Sequence, residues 1–266
     1  MMAGQMALLG LYTPVPGLNY HRRMSGAKPG GDARAWVRDT VHARGTFGAL
    51  RHYAAGLKDM LIDLTPQRRR SRFGDIDYDF DHGVDTTWAT VSLRTRLREW
   101  LSGGQYQPSE PQLFHDILRA VPAKLDGFTF IDLGSGKGRT LLMASDFPFR
   151  RIVGVEILVE LDAIAQQNIA RYGSKQQQCH AIESRPGDAR EFAFPAEPTV
   201  LYLFNPFPEH VLRAVLANLH DSLLTVPRAV YVIYHNLVYE KTFNGCMWLH
   251  PVHRTTQFAI YRAKTG

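Results

Sequence analysis

Cysteine is nearly absent: Cys179 and Cys246 are the only two in 266 residues, and neither belongs to a CxxC pair. A disulfide framework is excluded, and isolated thiols in a chain of this size point to core packing and a reducing compartment. Long apolar runs are missing too. None approaches the roughly 18 residues that a membrane-crossing helix needs, so no membrane insertion is expected. The short apolar piece near the N-terminus has no basic residues ahead of it, which argues against a secretory signal, and a cytoplasmic location is expected. Neither sign of charge dominates, since 31 Lys and Arg stand against 25 Asp and Glu. The one cationic run, Arg68, Arg69, Arg70 and Arg72, has no aromatic residues interleaved and no binding motif around it. It reads as a solvated segment, and a nucleic-acid partner is not expected. His250, His253 and His180 lack a third ligand at zinc-like spacing, so no metal site is expected.

Residues 1–31 read as a loose leader, because Pro14, Pro16, Gly17, Gly26, Pro29, Gly30 and Gly31 crowd them. Residues 32–105 read as a cap or lid rather than a second enzyme. Within them Asp75, Asp77, Asp79 and Asp81 alternate with Ile76, Tyr78 and Phe80. In an extended strand that alternation sends the carboxylates to one face and the apolar groups to the other. A calcium loop fails, because neither register supplies glycine at its sixth position or glutamate at its twelfth. Residues 106–266 then alternate strands and helices, the pattern of an α/β sheet domain. The first of these helices is expected to start at Ser109, with Gln112 completing a capping box.

The stretch FTFIDLGSGKGR at 128–139 is the most informative in the chain. Phe128, Phe130, Ile131 and Leu133 read as a buried parallel strand, Gly134, Ser135 and Gly136 as a tight turn, and residues from Thr140 on as a helix. Backbone N–H groups at Gly134 and Gly136 can approach a ligand closely, and Asp132 adds a carboxylate at the strand's carboxyl end, where open α/β sheets bind ligands. A dinucleotide fingerprint needs a small residue where Arg139 stands, and no Lys-Ser or Lys-Thr pair makes a P-loop. A second strand, 151–157, delivers Glu156, whose two oxygens match a ribose diol. A helix over 159–172 follows, then a third strand over 179–182 leading to Asp188 and Ala189. A fourth strand, 199–204, ends in Asn205, Pro206 and Phe207. A fifth, 227–234, is followed by His235, at the edge where the site should lie, and by Asn236, which suits a turn equally well, so no catalytic role is assigned there. Residues 247–252 and 257–262 read as a final hairpin.

An acidic residue followed by G-x-G-x-G resembles motif I of class I S-adenosylmethionine-dependent methyltransferases, which have a Rossmann-like sheet. The resemblance runs from Tyr106 to the C-terminus. It implies a mostly parallel sheet whose last strand is inserted antiparallel, with S-adenosyl-L-methionine as cofactor. It further implies that Asp132, Gly134, Ser135, Gly136 and Glu156 contact the cofactor and that Asp188 and Ala189 meet the adenine amino group. Asn205, Pro206 and Phe207 resemble motif IV of amine and amide N-methyltransferases, lacking its second proline, and imply that Asn205 orients a nitrogen nucleophile beside the methyl donor. A tyrosine and proline ahead of the first helix, at Tyr106 and Pro108, is similar to class I protein-lysine methyltransferases, where that segment closes over the cofactor. The expected activity is methyl transfer to nitrogen, with a protein lysine as acceptor. A small-molecule O- or N-methyltransferase is the alternative, followed by a nicotinamide oxidoreductase, which Arg139 disfavours, and a silent binding module, which the intact acidic set disfavours.

Overall fold

The computed structural model describes residues 45–48, 76–87, 108–204, 207 and 209–264. Tyr106, Asn205, Pro206, the leader, the arginine run and most of the expected cap lie outside them. In chain order the elements are α1 (Ile76–His82), α2 (Pro111–Arg119), β1 (Thr129–Leu133), α3 (Arg139–Ala144), β2 (Arg151–Glu156), α4 (Val159–Arg171) and β3 (Ile182–Pro186). Then come β4 (Thr199–Phe204), α5 (Glu209–Thr225), β5 (Val230–His235), α6 (Glu240–Asn244), β6 (Leu249–Arg254) and β7 (Phe258–Ala263).

The strands form one seven-stranded sheet in the order β3-β2-β1-β4-β5-β7-β6. The first five are mutually parallel where they pair, and β7 lies antiparallel between β5 and β6. The expected antiparallel insertion is therefore present. Connections run outward from β1 to β3, then return to β4 on the other side, so a switch point falls between β1 and β4, where ligands of such sheets bind.

Period-two alternation divides the core between two faces. Ile131, Leu133, Leu201, Leu203, Val230 and Val232 face a layer built from α5, through Val211, Leu212, Val215, Leu216 and Leu219. Phe130, Val200, Tyr202, Tyr231 and Ile233 face the other way, onto Phe114, Ile117 and Leu118 of α2 and Leu141 and Met143 of α3. Strands β1 and β5 are buried along their whole length because helices cover both faces. Aromatic packing tightens the second layer: Phe114 meets Tyr202 edge-on with centroids 5.2 Å apart.

Three local expectations need correction. The acidic alternation is a helix, α1, not a strand. Tyr78 is buried and Phe80 is exposed, so these two do not share a face. Tyr78 and His82, four apart, stack at 4.3 Å, and His82 stacks in turn on Tyr172 at 5.4 Å. Tertiary packing of one helical face overrides the two-residue pattern. The third strand is Ile182–Pro186, later than expected. It is an edge strand with one covered face, so its polar residues hid it while the apolar stretch before it stood out. The α2 cap is Glu110, which accepts from Gln112 N at 2.9 Å and also from Leu113 N. Ser109 is turned to another use, its hydroxyl lying 3.1 Å from Tyr202 OH.

Candidate functional site

The loops after β1, β2 and β3 converge at one edge of the sheet. Gly134 N and Ser135 N both donate to Val155 O, at 2.8 and 3.2 Å, which folds the first loop over the end of β2. Gly136 N donates to Glu156 Oε2 at 2.9 Å, and Leu158 N donates to Glu156 Oε1 at 2.9 Å. Gly136 meets this geometry at φ 55°, in the left-handed region that a β-branched side chain resists. Gly187 N donates to Glu156 O at 3.0 Å, which brings the third loop, with Asp188, alongside the second.

Of the expected site residues, Asp132 and Glu156 stand at the carboxyl ends of β1 and β2, and Gly134, Ser135, Gly136, Asp188 and Ala189 follow β1 and β3 at the same edge, while Tyr106 and Asn205 are outside the described residues. Asp132 is buried and accepts from the Thr140 hydroxyl of α3. Burial pushes its carboxyl up to about 7, the Thr140 bond partly opposing this and nearby Glu156 adding to it. Burial raises Glu156 as well, against the pull of the Leu158 and Gly136 N–H groups. Each oxygen of Glu156 accepts one backbone N–H and keeps acceptor capacity, as a diol ligand requires. Asp188 is held below its usual range by hydrogen bonds from Arg190. Its carboxylate accepts Arg190 Nε at 3.0 Å and Arg190 N at 2.9 Å. The Ser135 hydroxyl is buried without a partner among the described residues. It lies over Gly154, where an added Cβ would stand 2.7 Å from it.

On the far side of the switch point, Tyr202 pairs with Asp132 across β1 and β4. The Tyr202 hydroxyl is 2.8 Å from His235 Nδ1, and His235 stacks on Phe204 at 4.0 Å with planes 7° apart. Burial lowers His235 to about 4. The imidazole is therefore neutral near pH 7 and braces the end of β4. Asn236 takes φ 63° and donates its N–H to Gln257 O at 2.8 Å, as a turn residue.

Sequence reasoning missed what surrounds the glycine loop from the other side. Lys137, Arg139 and Asn168 are buried, and all three bind residues 79–87. Arg139 Nε donates to Thr86 Oγ1 at 2.6 Å, and Lys137 Nζ donates to Asp85 Oδ1 at 2.7 Å. The signal lay in a lysine and an arginine placed inside an otherwise small, apolar loop region.

Sheet order, inserted antiparallel strand and an acidic residue at each of the first two strand ends decide the architecture. The fold is that of class I methyltransferases. Solved structures of similar fold include an RNA methyltransferase from Salinibacter ruber in complex with S-adenosyl-L-homocysteine, 22% identical, with TM-score 0.41, covering 60% of this chain and 94% of that one. A predicted N6-adenine-specific DNA methylase from Listeria monocytogenes is 15% identical with TM-score 0.44, covering 61% of this chain and 53% of that one. The 23S rRNA methyltransferase ErmE is 14% identical with TM-score 0.43, covering 60% of this chain and 70% of that one. No protein-family model and no curated protein matches the chain. RNA- and DNA-directed enzymes among these structures correct the expectation that nucleic acid is no partner. None of the three is a protein-lysine enzyme. Among the described residues, no helix is long and apolar enough to cross a membrane.

Proposed function

We propose that the chain is an S-adenosylmethionine-dependent methyltransferase directed at nitrogen. The observation that carries this reading is the Glu156 carboxylate at the end of β2, bonded at 2.9 Å to the N–H of Gly136 in the glycine loop. Glu156 accepts the ribose hydroxyls, the Gly134–Gly136 backbone lines the path of the amino-acid portion, and Asp188 with Ala189 borders the adenine. Asp132, one strand over, supplies a carboxylate to the cationic end. The cofactor, when bound, supplies a methyl group activated by a sulfonium. The chain's own task is placement, and a positioned amine needs no strong base because it loses its proton to water once methylated. Asn205 follows directly on β4, and in this reading its amide oxygen accepts a hydrogen bond from the nucleophilic nitrogen and aims the lone pair. A nucleobase amine and a side-chain amine both satisfy that chemistry.

Calorimetry with S-adenosylhomocysteine and with NADH tests the reading directly. S-adenosylhomocysteine binds and NADH does not; the reverse result would make the chain an oxidoreductase. Glu156→Ala weakens S-adenosylhomocysteine by about 1.5–3 kcal/mol, as expected for losing a hydrogen bond to a charged group. An unchanged dissociation constant in the folded variant would remove Glu156 from the site.

A further inference from the structure

Two cations are buried beside the glycine loop, and both are neutralised by a segment that precedes the sheet. Lys137 has no exposed side-chain surface. Its ammonium donates to Asp85 Oδ1 at 2.7 Å and to Thr87 O at 2.6 Å. Arg139 is 3% exposed, reaches Asp79 Oδ1 at 3.3 Å, and covers the Tyr78 ring with its guanidinium 4.9 Å from the centroid. Asp79 is shared: it also accepts from Thr86 N at 2.8 Å and Thr87 N at 2.9 Å. Asn168 of α4 closes the arrangement. It accepts from Asp85 N at 2.8 Å and donates to Asp85 O at 2.8 Å and to Lys137 O at 2.9 Å.

Burying charge is costly unless its partners are held in place, so these contacts require an ordered 79–87 segment against an ordered loop. Their position matters. Lys137 stands between Gly136 and Gly138, at φ 55° and 83°, two residues that alone would leave the loop free to change conformation. Anchoring the side chain between them holds the backbone that presents Gly136 N–H to Glu156.

We propose that residues 79–87 are a clamp that sets the glycine loop for its ligand, with Asp85 and Asp79 as positioning residues acting through Lys137 and Arg139. This rests on the reading of that loop as the cofactor site. It also gives Arg139 a purpose: the residue that breaks the dinucleotide pattern is the one that ties the loop to the preceding segment. Because coupling between sites is reciprocal, a ligand on the loop must tighten the clamp in turn.

The test uses the full chain and Asp85→Asn, which keeps shape and removes charge, with Thr86→Ala as a milder variant that takes away one acceptor of Arg139 and the Thr86 hydroxyl's bond to Asp79 while leaving both aspartates in place. Amide hydrogen exchange of the ligand-free protein is read at 134–138, with the β4 and β5 amides as internal reference. Calorimetry gives the S-adenosylhomocysteine affinity. In both variants exchange at 134–138 accelerates selectively, and affinity falls by about tenfold in Asp85→Asn, a typical size for coupling between positions. In the wild type, S-adenosylhomocysteine slows exchange at 79–87. If either folded variant melts lower yet keeps loop exchange and affinity unchanged, the contacts are a structural staple and the clamp is rejected. A wild type that fails to bind S-adenosylhomocysteine rejects the methyltransferase reading instead, and loop exchange in the two variants then decides the clamp alone.

Discussion

Asp132 and Glu156 stand in the last two positions of neighbouring strands, and burial holds both carboxyls above their ordinary range. For Asp132 the consequence has a definite sign. Its folded value is about 7, against roughly 3.9 for an unfolded aspartate. The folded chain therefore retains a proton that the unfolded chain gives up, so this contribution to stability is complete below about pH 4 and is lost as pH rises through 7. Asp132→Asn removes the titrating group, and the melting temperature of the ligand-free wild type, relative to that variant, falls between pH 4 and pH 8. A constant difference across that range would show that Asp132 is ionised throughout. Asn205 invites a different measurement because its proposed role is kinetic. Asn205→Ala lowers turnover about a hundredfold, some 2.7 kcal/mol of barrier, while S-adenosylhomocysteine affinity changes far less. Near-normal turnover with a reduced melting temperature would identify Asn205 as a helix-capping residue ahead of α5.

Removing whole elements separates the leader from the segment that packs on the sheet. Deleting residues 1–31 leaves folding and S-adenosylhomocysteine binding intact. Deletion through Gln105 also takes away α1, Asp79 and Asp85, and strips Lys137 and Arg139 of acceptors they use while buried. Breaking one buried pair costs about 3–5 kcal/mol, enough to unfold a marginal domain or abolish turnover. A fully active fragment beginning at Tyr106 would show that nothing before it serves the site. Sequence periodicity read these elements unevenly, for physical reasons. Strands β1, β2 and β4 were legible because parallel strands covered on both faces are continuous apolar runs, and their polar ends marked Asp132 and Glu156. Strand β3, with Glu183 and Arg185 exposed, carries no such run. Helix α1 was misread because Asp-Ile-Asp-Tyr-Asp-Phe-Asp fits a strand by pattern alone, and only the long-range partners Arg139 and Tyr172 select the helical face that buries Tyr78. Those partners lie 61 and 94 positions further on, where no local pattern reaches.

The whole molecule carries a net charge of +6, and its acceptor is the question on which that charge bears. A basic protein draws polyanions toward it, and each lysine or arginine that neutralises a phosphate releases counterions, so binding weakens steeply with salt. A small neutral acceptor feels none of this. The decisive experiment incubates the full chain with tritiated S-adenosylmethionine and a cell lysate, then resolves nucleic acid, protein and small molecules. For a nucleobase amine, label enters the nucleic-acid fraction, disappears on nuclease treatment, and declines sharply as salt rises from about 50 to 200 mM. Label that stays in protein after nuclease treatment would put the nitrogen on a side chain and return the acceptor to the lysine class. The nitrogen chemistry assigned to Asn205 survives either result. Label confined to the oxygen of a small molecule would sink it, because an amide oxygen only accepts hydrogen bonds and an alkoxide nucleophile has no proton to donate to it.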